Sequence, residues 1–113
     1  GKPHHLELVR ADNEALRANA EDVAYYTVRA VDKDGNLCPA VNRLVRFKVS
    51  GNAHFKATAN GDPTCLDAFQ EPQMHLFSGM CTVIVQTTNK AGAFTLEAAA
   101  AGLQLVRAIG KSQ

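Results

Sequence analysis

The sequence predicts an all-β protein, an antiparallel β-sandwich of about seven strands, and three observations carry that reading. Along 23–31 (VAYYTVRAV) Ala24, Tyr26, Val28 and Ala30 alternate with Val23, Tyr25, Thr27, Arg29 and Val31, the period of two that a half-buried strand needs, in β-branched and aromatic company. Turn residues then punctuate the chain between short strands, as Asp34-Gly35-Asn36, Gly51-Asn52, Asn89 to Gly92 and Ala101-Gly102, the last two about ten residues apart. The last third also reads as three strands joined by hairpin turns, at 80–88 (MCTVIVQTT), 93–100 (AFTLEAAA) and 103–109 (LQLVRAI). Short strands that each bury one face need a second sheet to bury it against, which is the immunoglobulin-like (Ig-like) arrangement.

The remaining elements follow in order. Residues 4–10 (HHLELVR) alternate Leu6 and Leu8 with Glu7, a first strand. Residues 11–22 (ADNEALRANAED) have helical propensity, but their neighbours are strands, so a short extended segment at 15–18 and an acidic turn at 19–22 are expected instead. The long strand 23–31 stops where Asp34-Gly35-Asn36 tolerates positive φ and Pro39 lacks the N–H that a central strand donates. Residues 42–50 (NRLVRFKVS) put Val45, Phe47 and Val49 on one face and the solvated Arg46 and Lys48 on the other. Residues 53–59 (AHFKATA) return as a short strand, and 60–78 reads as a long loop without periodicity. Alternation places Tyr26, Val28, Ala30, Val45, Phe47, Val49, Val83, Val85, Phe94 and Leu96 in one shared core.

Composition bounds the function classes. A chain of 113 residues with 46% hydrophobic content fits one domain with a modest core; residues 1–5 read as a linker, with Gly1 a cloning remnant, and 6–113 as the domain. Twelve Lys and Arg against eleven Asp and Glu leave a net charge of +1, too little to steer nucleic acid or an anionic membrane, so neither partner is expected. No window approaches the ~20 apolar residues of a membrane-spanning helix. Cys38, Cys65 and Cys81 are odd in number and lack a metal-ligand spacing, which predicts reduced bystanders; a Cys–His nucleophile would need His54 or His75 beside a thiol.

Residues 22–39 (DVAYYTVRAVDKDGNLCP) resemble the first long strand and turn of bacterial Ig-like modules. VRFKVSG at 45–51, Asn60-Gly61-Asp62-Pro63-Thr64, Phe69, Phe77-Ser78-Gly79 leading into CTVIVQTT, and GAFTLEA at 92–98 follow the order of one kind of module. It is similar to the C-terminal Ig-like domain of family 2 glycoside hydrolases, the β-galactosidase-like enzymes, over 6–109. The resemblance implies a non-catalytic scaffold or domain-packing module of a bacterial enzyme acting in the periplasm or outside the cell, whose catalytic glutamates belong to a (β/α)₈ barrel absent here. Its partners would be the other domains of the parent chain, and carbohydrate where a loop reaches the rim of the substrate site. Repeats of bacterial surface adhesins and carbohydrate-binding modules share similar strands and form the alternative.

Three constellations bear on chemistry. Asp32-Lys33-Asp34-Gly35-Asn36 resembles the start of a calcium loop but lacks the downstream glutamate, so it reads as a hairpin turn and no metal is expected. Asp67, Glu71 and Glu97 are scattered over a loop and a strand and form no opposed acid–base pair; no catalytic residue and no cofactor are assigned. The loop 60–78 is longer than a hairpin needs. Phe69, His75 and Phe77 there are candidates to stack on sugar, to cap the core or to pack on a neighbouring domain, with Asn60, Asp62 and Gln73 as hydrogen-bonding partners.

Overall fold

The computed structural model describes residues 2–10, 16–59 and 72–113. Eight strands are formed among them: β1 (His5–Arg10), β2 (Val23–Val31), β3 (Leu44–Gly51), β4 (Ala53–Ala59), β5 (Gln73–His75), β6 (Met80–Thr87), β7 (Gly92–Ala100) and β8 (Val106–Ser112). They make two antiparallel four-stranded sheets, ordered β1-β2-β6-β4 and β5-β3-β7-β8. The described residues contain no helix, so the sandwich read from alternation and turn spacing is the fold.

The register explains why alternation was informative. Tyr26 faces Val83, Ala24 faces Val85 and Val28 faces Cys81 across β2 and β6, while Phe47 faces Ala98 and Val49 faces Leu96 across β3 and β7. These are the inward positions of the two sheets. Nine of the ten expected core residues are buried, and Val49 is half-buried against the same cluster. Leu6, Leu16, Met74 and Leu76 complete the core.

Two readings need correction. The segment 60–78 is not all loop: Gln73–His75 pairs with β3 and brings the strands among the described residues to eight, setting Met74 opposite Val45. Both are fully buried, and three residues are too few for a period to show in sequence. The last strand begins at Val106 rather than Leu103. Gly102, at φ 75°, closes a turn in which the Leu103 amide donates to the Ala100 carbonyl at 3.2 Å. Gln104 is then taken by the first strand, its amide donating to the His4 carbonyl at 3.3 Å and its carbonyl accepting from Leu6 at 3.5 Å.

The extended segment expected before the acidic turn is present where the structure describes it. Leu16 bridges Ser112 in parallel, the Ala18 amide donates to the Gln113 carbonyl at 2.8 Å, and the Gln113 amide donates to Leu16 at 2.9 Å. The chain therefore leaves the first sheet after β1 and joins the edge of the second beside β8. The turn that follows is built on side chains: Asn19 Oδ1 accepts from the Glu21 and Asp22 amides at 2.8 Å each, and Asp22 accepts from the Arg17 amide at 3.0 Å. The Asn19 amide and then the Arg17 backbone N–H hold the Asp22 carboxyl below its usual range.

Candidate functional site

The loop assigned to recognition divides into parts with different surroundings. Asn60, Asp62 and Phe69 lie outside the described residues, as do Cys65, Asp67 and Glu71. Gln73 and His75 sit on the solvent side of β5, opposite Arg46 and Leu44 of β3. Between them and Phe77 the chain dips inward: Leu76 is buried, and its amide donates to the Arg43 carbonyl at 3.1 Å. Phe77 opens the turn into β6. It is 42% exposed beside Met80, also exposed, and the two exchange backbone hydrogen bonds of 2.9 and 3.1 Å. The candidates thus point two ways, Gln73 and His75 onto the outer face of the second sheet and Phe77 to one end of the sandwich.

That end is set by glycine. Ser78 and Gly79 both have positive φ, 53° and 78°, a type I′ hairpin turn whose twist matches the flanking strands. The turn docks on the loop after β2. Gly79 donates to the Val41 carbonyl at 3.2 Å and accepts from the Ala30 amide at 2.9 Å. Pro3, Leu37, Pro39 and Val41 line an open depression of about 470 Å³ at the same end.

A second uncovered surface is the outer face of the first sheet. Val9 and Tyr25 are 45% and 44% exposed, and the register sets Tyr25 beside Ile84 and Val9 beside Thr27. On this face Arg29 donates to Glu7 at 2.8 Å.

The polar groups considered for chemistry are engaged structurally. Asp32 Oδ1 accepts from the Asn36 and Asp34 amides at 2.9 and 3.0 Å, and the Asn36 amide is the leading reason its carboxyl titrates below the usual range. An oxygen occupied by two backbone amides caps a turn. Glu97 is paired to Arg107 at 2.9 Å across β7 and β8. Cys38 and Cys81 are both buried, and burial pushes the Cys81 thiol up to about 12. At pH 8 its thiolate fraction is then about one in ten thousand. A disulfide reagent should label Cys81 only after denaturation, and reductant should leave Tm nearly unchanged; fast labelling of Cys81 in the native protein would contradict this burial.

Comparison with known proteins gives this surface a context. The model of the family described as glycoside hydrolase family 2 C-terminal domain 5 matches residues 8–108. The chain belongs to that family. β-Galactosidase BoGH2A of Bacteroides ovatus is 36% identical over 104 residues, covering 92% of this chain and 12% of that protein. A β-galactosidase of Thermoanaerobacter pseudethanolicus is 32% identical over 98 residues, covering 87% of this chain and 11% of that one. Among solved structures, a β-glycosidase from Bacteroides vulgatus superposes with a TM-score of 0.92 at 27% identity, over 98% of this chain and 14% of that chain. The chain spans about an eighth of the length of the curated relatives it matches.

Proposed function

We propose that this chain is a non-catalytic accessory domain of a β-galactosidase-like glycoside hydrolase that packs against other domains of its parent. The observation that carries the reading is the coverage: β-galactosidases match nearly all of this chain with only 12% and 11% of their own length. Chemistry supports it. A glycosidase needs two carboxyl groups facing each other, about 5–5.5 Å apart for retention or about 6.5–9.5 Å for inversion. Among the described residues Glu7 and Glu97 are held in ion pairs, and Asp22 and Asp32 accept hydrogen bonds within turns. The adhesin-repeat reading has behind it a likeness to the D00-D0 domain of intimin, with a TM-score of 0.67 at 19% identity, which bears on the fold alone.

Exposed apolar side chains mark the packing surfaces, Phe77 and Met80 at one end and Val9 and Tyr25 on the first sheet, since such groups gain most from being covered. The chain alone should show no turnover of a chromogenic galactoside. In the full-length enzyme, Phe69→Ala together with Phe77→Ala should alter KM or loosen docking, read as increased proteolysis between domains. Turnover by the chain alone would refute the non-catalytic assignment, and unchanged kinetics and proteolysis in the double variant would remove these two side chains from the packing surface.

A further inference from the structure

The outer face of the second sheet carries a concentration of positive charge that no single strand reveals. Arg46 and Lys48 project from β3, Arg107 and Lys111 from β8, and Arg43 stands just ahead of β3. All five are exposed. In register, Lys48 faces Glu97 and Glu97 faces Arg107, while Arg46 faces Ala99 and Lys111 faces Ala93, so the sheet order gathers them on one side. Glu97 is the acidic residue among the described ones on this face, and it is already paired to Arg107. Among the described residues five cations and one carboxylate give the face 5 − 1 = +4, a concentration of like charge that strengthens the local field.

Within this face there is a groove. It holds about 430 Å³ and is lined by Arg43, Leu44, Arg46, Ala99, Ala100 and Ala101, a size within the range of about 300–1,000 Å³ typical of ligand pockets. Its two arginines flank a floor of alanines that leaves room for a bulky ring. Arg43 is oriented, because Nη1 donates to the Ala101 carbonyl at 3.1 Å. Gly102 makes space for it: a Cβ there would lie 3.2 Å from the same nitrogen. A guanidinium so held keeps its remaining N–H groups for an anion that offers two adjacent oxygens, as planar carboxylate and tetrahedral sulfate both do.

We propose that this face binds an anionic polysaccharide, with the groove between Arg43 and Arg46 receiving one acid group and Lys48 and Lys111 the groups that follow. Arg46 and Lys48 stand about 7 Å apart along their strand, and Lys48 and Arg107 about 10 Å apart across two strand spacings, a spread suited to a repeating polymer. A protein partner fits less well. Protein-docking cores are apolar and poor in lysine, whereas Ile109, 78% exposed, stands alone between Arg107 and Lys111. The site adjoins the Phe77 end through Arg43, which also lines the depression there, but its charge chemistry does not depend on the packing assignment.

The test titrates the 113-residue protein with polygalacturonate, dextran sulfate, neutral dextran and poly-glutamate in low salt. Binding to polygalacturonate, dextran sulfate or both is expected, with none to neutral dextran; which acidic glycan binds tells carboxylate from sulfate. Arg43→Gln with Arg46→Gln should weaken that binding by at least about ten-fold, the worth of one charge-assisted hydrogen bond. Lys56→Gln with Lys90→Gln removes the same charge elsewhere and should change it by less than about two-fold. Circular dichroism checks that both pairs fold. Absence of binding to either acidic glycan, equal losses in the two pairs, or tighter binding to poly-glutamate than to either glycan would overturn the proposal, the last assigning the face to an acidic protein.

Discussion

Truncating Phe94 to alanine should lower the unfolding free energy by about 3–5 kcal/mol, the cost of removing a buried aromatic ring and leaving a cavity. Phe94 is 1% exposed and is the largest of the fully buried side chains. Its position explains why relaxation will not recover the loss. Phe94 pairs with Gly110 across β7 and β8, and its ring lies so close over that glycine that a Cβ there would collide with Cζ and stand 2.9 Å from both Cε atoms. The ring supplies the packing an edge glycine lacks. Urea unfolding should show a lower midpoint with an unchanged slope; a loss below about 1 kcal/mol would mean that the site collapses around the gap.

The second large effect belongs to Gly79. Alanine there must adopt the left-handed backbone of φ 78°, costing about 1–2 kcal/mol by itself. Its Cβ would also run into the Cys38 carbonyl oxygen, with the carbonyl carbon 3.0 Å away, and backbone cannot step aside as a side-chain tip can. With about 1–3 kcal/mol for overpacking added, Gly79→Ala should cost about 2–5 kcal/mol. Gly35→Ala provides the control. Its φ is 85°, but nothing lies within 4 Å of the added Cβ, so only the backbone cost remains. Equal melting temperatures for the two variants would show that the turn does not press on the loop after β2.

Both effects arise at positions that the sequence marks in different degrees. Phe94 was legible as core because it alternates with Ala93 and Thr95 in a strand of nine residues, long enough for a period to be seen. Its contact with Gly110 was not legible, since it depends on the register of a strand whose start the sequence misplaces by three residues. β5 escaped detection for a related reason: at three residues it is defined by pairing with β3, not by pattern. Gly79 stood in the sequence only as the approach to the next strand, and both its turn and its approach to Cys38 join segments that only the folded chain brings together. Phe77 was singled out for its aromatic ring, and that ring is exposed at a docked turn. Arg46 and Lys48 read as an ordinary solvated face. Alternation shows which side of a strand is wet; sheet order decides which cations share that side, and β8 adds Arg107 and Lys111 to it.

The parallel bridges that seal the sandwich also set when it can be completed during synthesis. Leu16 meets Ser112, 112 − 16 = 96 positions later, and His5 meets Gln104, 104 − 5 = 99 positions later. Loops of that length close late, which places the domain among β-sandwiches that fold in milliseconds to seconds. At about 5–20 residues per second of translation, β1 and β2 wait several seconds on the ribosome before β8 emerges. Through that interval the segment at Leu16 has no strand to join and β7 has an open edge. The nascent domain is therefore most vulnerable to pairing with a neighbour just before β8 appears, and Lys111 beside Ser112 places a charge on the strand that closes the gap.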